Sequence, residues 1–120
     1  MSLRVESVLP LRAMEVRLQK TAINRFIEQM RKYADAFGFR AVVKPGGPDP
    51  HDIFLELLRD DVEVVASDSS DTGAPDLKYA IGFFPKRLRP APPPEDVAPL
   101  FDALRLFLGQ VPGLIISEER

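Results

Sequence analysis

Two stretches of the chain carry the same apolar spacing. Ile23, Phe26, Ile27, Met30, Tyr33, Ala34 and Phe37 recur at offsets 0, 3, 4, 7, 10, 11 and 14, and Val97, Leu100, Phe101, Leu104, Phe107, Leu108 and Val111 repeat those offsets. A period of about 3.6 residues lays such a stripe along one side of an amphipathic helix. The spacing predicts a first helix over Thr21–Phe37 and a second from about Asp96 to Leu108. Glu28 with Lys32, and Arg31 with Asp35, stand four apart on the polar side of the first. Gly38 and Gly109 are the expected stops. With Asp96 as N-cap, Pro99 falls in the first turn, where its missing N–H costs little. Met14 and Leu18 would carry the first stripe back towards Arg12, but Val16 falls off it, so the helix start is open between Arg12 and Thr21.

Between the helices the period drops to two. Phe39, Ala41 and Val43 alternate within Phe39–Lys44. Ile53, Leu55 and Leu57 alternate before Asp60-Asp61, and Val62, Val64 and Ala66 after it. Leu77, Tyr79, Ile81 and Phe83 form a fourth set. These are strand patterns, and the Asp-Asp junction reads as a hairpin. Leu114–Ser117 reads as a last short strand, and Leu3–Leu9 as a loose one before Pro10. The predicted fold is α+β: an antiparallel four- to five-stranded meander in the order α-β-β-β-β-α-β, with both helices packed on one sheet face. One domain covers residues 1–120, with residues 1–11 as an arm or short strand and residues 85–94 as a Pro-rich internal linker.

The alternation is not clean. Phe54, Leu58, Val65 and Phe84 fall on the face opposite the inward set. Either the second sheet face is covered, by residues 1–18 or by another copy of the chain, or the local face assignment is off. This is the strongest functional signal in the sequence.

Composition narrows the field. A chain of 120 residues can bury about 65% of its unfolded surface and needs no staples. It has no cysteine, so disulfides, thiolate nucleophiles and Cys-based zinc sites are excluded. Net charge is −2, with nine basic against four acidic residues in 1–44 and seven against fourteen in 45–120. A pI near 5.4 argues against nucleic-acid binding. No apolar run reaches the ~18 residues of a membrane span. The first fourteen residues, with Arg4, Glu6 and Arg12, lack the layout of a signal peptide, so the cytoplasm is the expected address.

Local candidates for chemistry are weak. His51, the single histidine, sits between Asp49 and Asp52, where a carboxylate could orient a general base; no nucleophile accompanies it, and a loop histidine softened by acids is the plainer reading. Asp68, Ser70 and Thr72 at alternate positions before Gly73 imitate a calcium loop, but the twelfth position is Tyr79 and not a bidentate glutamate. Gly46-Gly47 lacks the Lys and Ser/Thr of a phosphate loop. Arg87, Pro90 and Pro93 fit a polyproline ligand, though a stiff spacer fits as well. Arg40, Lys44, Lys78, Lys86, Arg87 and Arg89 would form a basic patch only if the first and fourth strands of the meander were neighbours.

No catalytic set, metal site or cofactor is expected. The expected function is a non-enzymatic interaction module that forms a homodimer through an apolar sheet face, with Phe54, Leu58, Val65, Phe84, His51, Arg87 and Arg89 as its candidate contact residues. Two alternatives stand beside it. One is a small-ligand binder or minor enzyme with a pocket between sheet and helices near His51 or Tyr79; the other is an adaptor that offers its Pro-rich linker to a protein partner.

Overall fold

A computed structural model of the chain describes residues 9–49, 52–70, 73–86 and 90–119, with backbone alone at Glu118 and Glu119. Six strands form one antiparallel sheet: β1 (Arg12–Gln19), β2 (Arg40–Pro45), β3 (Ile53–Leu58), β4 (Val62–Asp68), β5 (Asp76–Pro85) and β6 (Ile115–Glu119). Helix α1 (Ile23–Phe37) joins β1 to β2, and α2 (Pro94–Leu108) joins β5 to β6. The spatial order is β2-β3-β4-β5-β1-β6. The α+β class and the β2–β5 meander agree with the pattern reading.

The strand count and the chain's start differ from it. Residues 12–19 are a strand inserted between β5 and β6, so the order is β-α-β-β-β-β-α-β. Met14, Val16 and Leu18 are buried, and Arg17 and Gln19 are exposed. Met14 and Leu18 satisfy the four-residue step of a helix and the two-residue step of a strand equally; Val16 alone distinguishes them. A 3-10 turn at Lys20–Ala22 then feeds straight into α1. The proposed strand at Leu3–Leu9 lies almost entirely outside the described residues. In α2, Pro93 occupies the cap and Asp96 lies within the first turn beside Glu95, where acids suit the positive end of the helix. Pro99 consequently sits deeper in α2 than the first turn.

The topology decides where the helices go. Strands alternate in direction, so β1 is parallel to β2 and β5 is parallel to β6. Each helix is therefore a crossover between parallel strands, and such crossovers are right-handed in about 98% of cases. The two crossovers leave strands of opposite direction and cross the sheet in opposite senses. The handedness rule then sends both helices to the same face, and among the described residues the other face is left without a helical layer. The shortest dimension of the molecule, 24 Å, suits one sheet and one helix layer.

The covered face is the core. Val16, Leu55, Leu57, Val62, Val64, Tyr79 and Phe83 are all fully buried there under Phe26, Met30 and Tyr33 of α1 and Phe101, Leu104 and Leu108 of α2. The Tyr33 hydroxyl donates to the Leu100 carbonyl at 2.8 Å, joining the two helices. The Tyr33 ring packs on Phe39 at 5.7 Å and edge-on to Phe107 at 5.6 Å. Arg59 locks the β3–β4 hairpin to the end of α1: its guanidinium donates to both Asp61 oxygens, at 2.7 and 2.8 Å, and to the Phe37 carbonyl at 2.8 Å. The same hydrogen bond holds the Asp61 carboxyl below its ordinary range and raises Arg59.

Gly38 closes α1 in the left-handed conformation, at φ 77° and ψ 25°. An L-residue there meets its own carbonyl, so Gly38→Ala is expected to cost about 1–2 kcal/mol. A drop in the urea midpoint at unchanged slope would register it; no drop would mean the helix end relaxes freely.

Candidate functional site

The face without helices is the candidate site. Its content follows from the strand register. One row across the sheet reads Val42, Glu56, Val65, Gly82, Ala13 from β2 to β1. The next reads Lys44, Phe54, Ser67, Ala80, Glu15. On the other side of the first row lies Arg40, Leu58, Glu63, Phe84. Phe54, Leu58, Val65 and Phe84 are half-buried on this face, where period-two counting puts them. Val42 joins them from the edge.

Acids are interleaved with the apolar groups, so the face is mixed. Lys44 Nζ lies 2.9 Å from Glu56 Oε1, and Lys86 Nζ lies 3.1 Å from Glu63 Oε1. Each pair neutralises a glutamate that sits between large apolar neighbours and lowers the energy needed to take that patch out of water. The pairs are partly exposed, so their direct contribution to stability is small.

Across β4 the side chains change size. In the first two rows the β2–β3 half carries Val42 and Phe54 and the β5–β1 half Ala13, Ala80 and Gly82, while in the third row Leu58 and Phe84 are large on both sides. A trough of about 220 Å³ opens over the small half, walled by Pro10, Phe84, Val65 and Glu15, with the Ser67 hydroxyl at its margin. Gly82 allows this shape. A Cβ built on it would stand 2.7 Å from Phe84 Cε2 and 3.4 Å from the Pro10 Cβ, so the phenyl ring lies across the glycine and Pro10 closes in beside it. Glycine inside a strand often marks such a close approach.

The sequence reading does not anticipate the trough. With the helix start left open between Arg12 and Thr21, and no strand assigned to residues 12–19, Ala13 and Glu15 have no place beside Ala80 and Gly82. The lone glycine in the Asp76–Pro85 strand is the one local sign of it.

Among the described residues, the other sequence candidates are not assembled into a site. His51, Arg87 and Arg89 lie outside the described residues, as do Asp71 and Thr72 of the calcium-like loop. In that loop Asp68 Oδ1 accepts from the Ser70 N–H at 2.8 Å, and the Ser70 hydroxyl accepts from the Lys78 N–H at 2.7 Å, which are turn contacts. Among the described residues no three His, Cys, Asp or Glu side chains are grouped to hold a metal. Among the described residues the basic patch does not form: β2 and β5 are separated by β3 and β4, which keeps Arg40 and Lys44 away from Lys78. Tyr79 faces the core, fully buried and stacked on Phe26 at 5.0 Å, on the opposite side of the sheet from the trough. Burial, with Asp68 and Asp52 adding to it, pushes its hydroxyl far above the ordinary tyrosine value. No described helix is long and apolar enough to cross a membrane.

No family model matches the chain, and no curated protein matches it.

Proposed function

We propose that this chain is a non-enzymatic binding module that works by laying its open sheet face against a protein surface, with a second copy of itself as the partner. The observation that carries this reading is the row of half-buried apolar side chains, Val42, Phe54, Leu58, Val65 and Phe84, on the face that carries no helix. An antiparallel sheet with one face in water ordinarily alternates apolar-in and polar-out. Contiguous apolar surface rimmed by charge is the usual mark of an interface.

Size supports a protein partner over a small molecule. The trough, at about 220 Å³, falls below the ~300 Å³ at which ordinary ligand pockets begin. The whole face is much larger. Six strands spaced about 4.8 Å apart, running roughly 20–30 Å, present a plan area on the order of 600 Å². Side-chain relief brings this towards the ~800 Å² that each partner buries in a standard interface. The mixed, largely neutralised charge suits a surface of the same composition better than a strongly basic or acidic one.

Sedimentation velocity from roughly 1 to 100 μM tests the reading, since a dimer as weak as ~10 μM would appear across that range. A mass that rises with concentration towards twice 13.4 kDa is expected. A clean monomer at the top of the range rejects self-association.

A further inference from the structure

The size change across β4 gives the open face a partner-shaped asymmetry. We propose, resting on the self-association reading above, that two copies pack face to face about a two-fold axis lying in the face along β4, with Phe54 of each copy seated in the trough over Ala80 of the other and Lys44 paired with Glu15 of the other.

The argument starts from the rows. A two-fold axis in the plane of the face, along β4, sets β3 of one copy over β5 of the other and β2 over β1, with each row facing itself. In the row Lys44, Phe54, Ser67, Ala80, Glu15 this puts Phe54 opposite Ala80 and Lys44 opposite Glu15. In the neighbouring row it puts Val42 opposite Ala13 and Val65 on the axis against its counterpart. Large meets small at each off-axis apolar pair in these two rows, and the one charge pair they set across the interface is of opposite sign. Glu63, on the axis in the third row, is already neutralised by its own Lys86 at 3.1 Å. An axis across the strands, or one displaced by a strand, loses this match.

The trough has the capacity for the knob. At about 220 Å³ it exceeds the ~150 Å³ cavity that accommodates benzene. Aromatic side chains that fill a pocket near the middle of an interface are its usual anchors. An axis along β4 keeps the two β4 strands parallel, and stacked sheets lie about 10 Å apart, which keeps these central rows in reach of one another.

The test is a charge exchange in the full chain, with the assembly read by native mass spectrometry and sedimentation. Lys44→Glu sets two carboxylates against each other at both symmetric contacts of its own dimer, and Glu15→Lys sets two ammonium groups there. Each variant alone is expected to dimerise at least roughly tenfold more weakly than the parent. Mixed in equal amounts, they form a heterodimer in which both contacts set a carboxylate against an ammonium group, so mixing is expected to restore near-parental affinity. The double variant, Lys44→Glu with Glu15→Lys, again has opposite signs at both contacts, and near-parental affinity is expected to return. Phe54→Ala is expected to weaken the dimer by roughly a hundredfold, because the ring is withdrawn from two symmetric troughs. Circular dichroism of each variant separates loss of pairing from loss of fold. Two results overturn the proposal in different ways. A monomeric parent removes the reading on which it rests, whatever else covers the face, be it residues 1–8 of the same chain or a different protein. A dimeric parent whose Lys44→Glu and Glu15→Lys forms associate normally, or whose double variant stays as weak as either single one, leaves self-association standing and rejects this geometry.

Discussion

Phe26→Ala is expected to destabilise the protein by about 3–5 kcal/mol, the range for deleting a buried phenylalanine side chain. Phe26 is fully buried on the middle of the α1 stripe, and its ring lies 5.0 Å from that of Tyr79, at an interplanar angle of 17°. Alanine would take away both the apolar surface and the stacking partner of a tyrosine on a central strand. Three of the core residues that would have to fill the space, Val16, Met30 and Tyr79, are themselves fully buried and packed. Close packing limits their collapse, so a residual cavity adds to the transfer term. A domain of this size has about 5–15 kcal/mol in total, so the variant stands near the edge of folding at room temperature. Urea unfolding should show a much lower midpoint with little change in slope. Leu106, on the outer side of α2 and 75% exposed, is the control: Leu106→Ala should stay within about 0.5 kcal/mol of the parent. If the two variants unfold alike, α1 does not dock on β5 through Phe26.

The same two periods that make the helices and the meander readable explain what is not. The α1 and α2 stripes and the inward sets of β3, β4 and β5 are long enough for only one template to fit them, and they occupy the core as expected. Residues 12–19 are different. Met14 and Leu18 are consistent with both periods, and the strand ends directly in the turn that starts α1, so no loop separates the two patterns. What fixes β1 as a strand is its pairing with β5, about 65 residues away, and with β6, about 100 residues away. Such long-range pairing leaves no local mark. The consequences for the open face are direct. Phe54, Leu58, Val65 and Phe84 can be placed opposite the core by counting alone, because each lies in a strand whose period is clear. The small half of the face cannot, since Ala13 and Glu15 belong to β1. The reason one face stays open is also topological: it needs both parallel crossovers, and the first exists only once β1 does.

Above pH 10 the protein is expected to lose stability steeply, at a rate set by Tyr33 and Tyr79. Both are fully buried, and burial raises both hydroxyls well above their ordinary value of 10.0. Arg59 works in the opposite sense on Tyr33, and Asp68 and Asp52 add to the rise at Tyr79. The sign follows from proton counting. Unfolded tyrosines begin to lose their protons near pH 10, while the folded ones keep theirs, so the native state holds more protons and unfolding gains from each further rise in pH. Stability from this source is whole below pH 10 and declines as pH climbs towards the folded-state values. Each tyrosine contributes a slope of up to about 1.4 kcal/mol per pH unit, so the pair removes roughly 3 kcal/mol by pH 11. Urea midpoints taken in half-unit steps from pH 8 to pH 11 would trace the decline. Tyr79→Phe is expected to halve the slope. Tyr33→Phe should halve it too, from a lower starting point, because the Leu100 carbonyl loses the 2.8 Å hydrogen bond that ties α1 to α2. A Tyr79→Phe protein that declines as steeply as the parent would show that the ring on β5 ionises freely, and hence that the helices do not seal this side of the sheet from water.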